Sequence, residues 1–169
     1  TPTPPATPAP PVYGCRQDDV ADAIDWAVTH GADVINISAG SAGQSASIQI
    51  EAVNRALGAV ILVVAASGNG GADKVGDPNL NYPAALPGVI AVGATGMTGE
   101  RASYSNYGSS PEDPERTLDV VAPGGDANEP SWVVQNTFID FCAGKRPPEA
   151  IDYAKFASCG ARVTSQAAA

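Results

Sequence analysis

The chain has 169 residues, with 9 basic against 18 acidic side chains and a formal net charge of −9. That is the length of one ordinary domain, and the acidic balance argues against nucleic acid or an anionic membrane surface as a partner. No apolar run approaches the roughly 20 residues of a membrane-spanning helix, and the start on Thr1 in a Pro/Thr/Ala tract places any targeting segment outside this sequence.

Thr1 to Val12 holds six prolines in twelve residues, so residues 1–14 are expected as an extended linker or exposed loop, with the domain proper over 15–169. From Asp18 the pattern turns helical. Val20, Ala23, Ile24, Ala27 and Val28 recur at helical spacing, Asp18 and Asp19 are placed to cap the start, and His30-Gly31 closes the helix. Asp33 to Ser38 reads as a short strand, and Ser45 to Leu57 as a second helix with Ile48, Ala52, Val53, Ala56 and Leu57 on one face. Val60 to Ala65 is a run of six apolar residues, the mark of a strand covered on both faces, and Ser67-Gly68-Asn69-Gly70-Gly71 stops it abruptly. Asn69 is therefore a polar amide delivered at the carboxyl end of a strand, where ligands of α/β sheets bind.

A polar loop through Leu80 leads to Tyr82-Pro83, and Val89 to Ala94 reads as another buried strand. Ser103 to Gly108 is predicted as a short strand and turn, and Leu118 to Gly124 as a strand and stop. Periodicity is poor from Asp126 to Arg162, which predicts a long surface loop or insertion. Helices alternating with apolar strands point to an α/β fold with a largely parallel sheet. Of the three cysteines, Cys142 and Cys159 are near enough in sequence to bridge in an oxidising compartment, leaving Cys15 over. Three unpaired small hydrophobes is the other reading, and no Cys-x-x-Cys or Cys/His spacing marks a metal site.

Six blocks taken together carry a family resemblance. Gly31 to Ser38, Val63 to Asn69, Tyr82-Pro83-Ala84, Val89 to Ala94, Ala102 to Gly108 and Asp119 to Gly124 stand in the order found in subtilisin-like serine proteases, over about two thirds of the chain. The resemblance implies a three-layer α/β fold, incomplete in this chain, and a serine endopeptidase acting through an acyl-enzyme. The family's Gly-Thr-Ser-x-Ala motif matches Val163-Thr164-Ser165-Gln166-Ala167, with Val163 at the Gly position and Ala169 where the family has Pro. Ser165 is thereby implied as the nucleophile. The oxyanion hole would be the Ser165 backbone N–H and the Asn69 side-chain amide, donors aimed at the charge that develops during acyl transfer.

By the same resemblance Ser38, Ala39 and Gly40 form one wall of a substrate pocket, and Ala66, Ser67 and Gly68 the other. Ala39 is smaller than the Leu often found there, so a roomy pocket for large apolar side chains is expected. An extended peptide or protein substrate would pair with this backbone as an added strand. A cis Tyr82-Pro83 bond, a secreted or extracytoplasmic location and calcium binding are further implications of the family. For calcium, Asp73, Asp77 and Asn79 would supply oxygens, but they match no recognised ligand spacing and a solvated loop is the simpler reading. No other cofactor is required.

The family's Asp-Thr/Ser-Gly and His-Gly-Thr-His motifs have no counterpart in Thr1 to Arg16, and the one histidine, His30, sits where the family has no catalytic group. Its expected role is an interaction with the helix C-terminus. The reading that follows is an internal piece of a larger protease domain whose remainder supplies the acid and base, inactive alone. Two alternatives stand beside it: a non-catalytic peptide-binding relative, and a nucleotide-binding α/β domain reading Gly68-Asn69-Gly70-Gly71 as a phosphate turn. The second lacks both Gly-x-Gly-x-x-Gly and a following Lys-Ser/Thr.

Overall fold

Four parallel strands form the larger described sheet, and each of the first two is preceded by a helix. The structure, a computed structural model, describes residues 16–72, 79–108, 115–126, 133–138, 156–161 and 168. Helix α1 (Gln17–Thr29) leads into β1 (Val34–Ile37), α2 (Ser47–Gly58) into β2 (Leu62–Ala66), and β3 (Ile90–Thr95) and β4 (Val120–Pro123) complete the order β1-β2-β3-β4. Register runs Val34 to Leu62, Val64 to Ile90 and Val92 to Val120, all parallel. The expected α/β fold with a parallel sheet is what the chain adopts.

Side-chain alternation along each strand sends Ile35, Ile37, Val63, Ala65 and Ala91 to one face. There they form a single core with Ala21 and Ile24 of α1 and Ala52, Val53 and Ala56 of α2. The opposite face is exposed at Val34 (53%), Leu62 (56%) and Val120 (50%), whereas Ala66, Val92 and Ala94 on that same face are buried, Ala94 in a small cluster with Ala102 and Tyr104. Helices α1 and α2 both lie on the first face, and β2 is covered on one face at its start instead of two.

Helix ends depart from the expected caps. Arg16 occupies the N-cap of α1 with no side-chain cap bond, since its guanidinium has only donors, and it pairs with the Asp18 carboxylate at 2.6 Å. That pairing holds the Asp18 carboxyl down at about 2. Asp18 and Asp19 instead favour the first turn through the helix dipole. At the other end Gly31 has φ of +75°, and Ala32 N–H donates to Ala27 O (3.1 Å) while Gly31 N–H donates to Val28 O (3.3 Å), the paired closure of a Schellman turn.

Helix α2 begins at Ser47, two residues after the expected start, since the Ser45 hydroxyl is buried and donates to Gln49 Oε1. It ends in the same closure as α1, Ile61 N–H to Ala56 O (3.1 Å) and Val60 N–H to Leu57 O (3.0 Å). Here the left-handed residue is Val60 (φ +61°). Val60 therefore belongs to the helix stop and not to the strand.

Two further expectations change. Ser103 to Gly108 forms a turn with isolated bridges, Thr95 to Arg101 and Asn79 to Gly108, instead of a strand. Its polar groups are spent on tertiary bonds: Ser103 N–H and hydroxyl donate to Asp126 (2.7 and 3.0 Å), and Tyr104 OH donates to Gly124 O and Gly125 O (2.9 and 2.7 Å). Within the segment expected as loop, β5 (Val133–Phe138) and β6 (Phe156–Ala161) pair antiparallel over six residues each. Cys159 lies in β6 opposite Gln135, whereas Cys15, Cys142, Asp73, Asp77 and the Val163 to Ala167 motif lie outside the described residues.

Candidate active site

Three segments meet beyond the carboxyl ends of β1 and β2. The first is Ser38 to Ser41, the second Ala66 to Gly70 and the third Asn79 to Pro83. Ser41 and Tyr82 exchange backbone bonds, N–H to O at 3.1 and 3.0 Å, and Asn81 N–H donates to Ser67 O at 2.8 Å. The third segment is thereby threaded between the other two, and the Tyr82-Pro83 bond is cis, as the resemblance implied.

Small residues permit this closeness. A Cβ on Gly40 would stand 2.9 Å from Tyr82 O, and one on Gly68 would stand 2.5 Å from Asn106 Nδ2 and 2.7 Å from Asn81 Cγ. Gly68 also has φ of +113°, a conformation that L side chains rarely adopt.

Between the segments lies a cavity of about 380 Å³ lined by Ala39, Gly40, Ala66, Gly68, Asn69, Gly70 and Asn81. Its volume is in the range of small-ligand pockets. Five of the eight site residues expected from sequence therefore line one cavity: Ala39, Gly40, Ala66, Gly68 and Asn69. Ser38 is exposed beside it without lining it, Ser67 is fully buried, and Ser165 is outside the described residues. Among the described residues the buried Ser67 hydroxyl has no hydrogen-bond partner, so it packs beneath the wall instead of presenting a polar group to a ligand.

Asn69 is exposed three residues past the end of β2. Its neighbours are held from behind by Asn106, which is buried: Asn106 N–H donates to Gly68 O (3.0 Å) and Gly70 N–H donates to Asn106 Oδ1 (2.8 Å). Gly71 N–H adds a bond to Tyr104 O at 2.9 Å. Sequence reasoning missed Gly70, Asn81 and Asn106. The first two adjoin quoted motifs and Asn106 stands inside the Ala102 to Gly108 block, but it is 36 residues from Gly70 in sequence, and no local spacing signals that contact.

His30 lies at the far end of the sheet from this cavity. It follows α1 just before β1 begins, whereas Asn69 follows β2 at its carboxyl end, and the five residues of β2 alone span about 16 Å at the usual strand rise. The imidazole stacks on Trp26 with ring centroids 4.0 Å apart, and Nδ1 is 2.7 Å from Trp26 O. This is the helix-end interaction expected of it.

Among the described residues no three His, Cys, Asp or Glu side chains cluster as a metal site. Asn79, the one described member of the suggested calcium loop, uses its carbonyl to accept from Asn106 Nδ2 at 2.9 Å. Among the described residues no helix is long and apolar enough to cross a membrane.

Comparison with known proteins gives a consistent set of relatives. The family model described as the subtilase family matches residues 13–168. Subtilisin BL of Lederbergia lenta is 43% identical over 105 residues, which is 62% of this chain and 34% of that protein. The thermostable alkaline protease of Halalkalibacterium halodurans is 43% identical over 109 residues, 64% of this chain and 27% of that protein. Among solved structures, the prenylagaramide maturation protease PagA superposes with a TM-score of 0.67 at 28% identity, covering 95% of this chain and 48% of its own. A protease of Pseudoalteromonas arctica PAMC 21717 gives a TM-score of 0.69 at 28% identity, covering 92% and 44%. The chain thus spans about a quarter to a third of the curated relatives it matches, and under half of the solved ones.

Proposed function

Since the chain belongs to the subtilase family of serine peptidases, we propose that it supplies the oxyanion-binding side of a peptide-bond-hydrolysing site, with Ser165 as nucleophile. The observation that carries this reading is Asn69, exposed at the carboxyl end of β2 and lining a cavity with Ala39, Gly40, Ala66 and Gly68. The Asn69 amide and the Ser165 backbone N–H would donate to the oxyanion of the tetrahedral intermediate, and the Ala39-Gly40 and Ala66-Gly68 backbones would flank the side chain before the cleaved bond. The chain's only histidine is at the other end of the sheet, so the general base that must take the serine proton is provided from outside these 169 residues. The chain alone is therefore inactive, and the remainder of the protease domain is its first partner. Secretion is proposed on the family relationship.

The test uses the complete protease. A serine-directed fluorophosphonate should label Ser165 and lose its target in Ser165→Ala, while Asn69→Ala should lower kcat by about 100- to 1,000-fold with KM little changed. Labelling at another serine, or an unchanged kcat, would overturn the assignment. Peptide affinity with no turnover in the unmodified protein would instead favour a binding module on the same scaffold.

A further inference from the structure

We propose that Asn106 is a positioning residue that sets the Asn69 amide at the angle catalysis requires. The inference rests on the oxyanion role of Asn69 stated above. An oxyanion donor is effective only when it is held in place before the charge develops, and a displacement near 1 Å costs about 100-fold in rate. Asn69 is itself exposed, and the backbone on either side of it fixes the position from which its side chain projects. Both sides are gripped by one side chain and its own peptide: Asn106 N–H holds the carbonyl of Gly68, and Asn106 Oδ1 holds the N–H of Gly70.

The grip is anchored in two directions. Asn106 Nδ2 donates to Asn79 O at 2.9 Å and to Asn81 Oδ1 at 3.3 Å, which ties the loop to the segment lining the far side of the cavity. Behind it, the Ser105 hydroxyl accepts from Ala94 N–H in β3 at 3.0 Å and donates to Asn106 O at 3.1 Å, linking the clamp to the sheet. Asn106 is 5% exposed, which keeps water from competing for these bonds. Gly68 lies so close that a Cβ would meet Nδ2 at 2.5 Å. The backbone and the amide are thus fitted to each other, and no longer side chain at 106 preserves the fit.

The experiment is a double-mutant cycle between positions 106 and 69 in the complete protease, with thermal melting recorded in parallel. Asn106→Ala should lower kcat about 10- to 100-fold with KM within about threefold, and that loss should vanish in an Asn69→Ala background. Should Asn106→Ala fail to fold, Asn106→Asp carries the same cycle. It keeps the acceptor for Gly70 N–H, replaces the donor to Asn79 and Asn81, and should lose about tenfold in kcat only when Asn69 is present. An equal loss in both backgrounds would make Asn106 merely structural and overturn the proposal while leaving Asn69 in its role. An Asn69→Ala variant with unchanged kcat would instead remove the oxyanion reading on which the proposal rests.

Discussion

Replacing Val60 with glycine is expected to stabilise the chain by about 1 kcal/mol, and the sum can be built from three quantities. Val60 holds the left-handed position after α2 with φ of +61°, and a left-handed L-residue costs about 1–2 kcal/mol, with β-branched side chains at the upper end. The side chain is 90% exposed, so its removal forfeits almost no burial. Glycine gives back roughly 0.5–1 kcal/mol through its greater freedom in the unfolded chain. The balance favours Val60→Gly, and for a chain of this size it corresponds to a rise of about 2–4 °C in the melting midpoint. Val60→Ala should recover only a part, because it relieves the branching and keeps the left-handed cost. Thermal and urea denaturation followed by circular dichroism provide the assay. A Val60→Gly midpoint equal to or below the parent would refute the reasoning, since it would mean that the valine is unstrained or buried.

Three other outcomes are expected. Ser67→Ala should be neutral or stabilising by up to about 1 kcal/mol in urea unfolding, because the buried Ser67 hydroxyl has no partner among the described residues and its removal ends an uncompensated desolvation; a loss above that size would reveal a bond to this hydroxyl. Arg116→Ala should destabilise by about 2 kcal/mol: its mostly buried guanidinium donates to Ala84 O at 3.3 Å, to Val89 O and to Asp119 at 3.0 Å, and its removal takes this donor from two carbonyls, while the Asp119 carboxylate keeps its bond from Ala91 N–H at 2.7 Å. An unchanged urea midpoint would count against that account. The Arg55 guanidinium at 2.6 Å holds the Asp25 carboxyl below its ordinary range. A depressed carboxyl contributes stability that is complete above the unfolded value near 4 and is lost as pH falls through the folded one. Arg55→Ala should therefore reduce the acid-side slope of stability below about pH 4 by a small amount, both groups being largely solvated, and an identical slope would refute the coupling.

Local signals in the sequence located the four strands of the main sheet and both helices to within a few residues. Hydrophobic spacing in Val20 to Val28, the apolar runs ending at Ala66 and Ala94, and the glycine after α1 act over less than two turns or one strand, and such short-range physics is written in neighbouring residues. Asn69 was legible for the same reason, a polar amide at an abrupt strand end. The left-handed Val60 was not, because its apolar character merged with the strand that follows. The turn at Ser103 to Gly108 was misread as a strand since its alternation serves bonds to Gly124, Gly125 and Asp126, which are distant in sequence.

What the sequence by itself determined is the alternation of helix and strand, the family to which the chain belongs, and the polar residue at the end of β2. What only the tertiary structure decided is how that residue is held. Asn81 lines the cavity with its N–H bonded to Ser67 O, and Asn106 grips Gly68 and Gly70 from a loop tied to β3. The contacts of Asn106 with Asn81, Gly70 and Gly68 join positions 25, 36 and 38 residues apart. Their energy depends on the close approach of backbones in the folded state and leaves no periodicity along the chain.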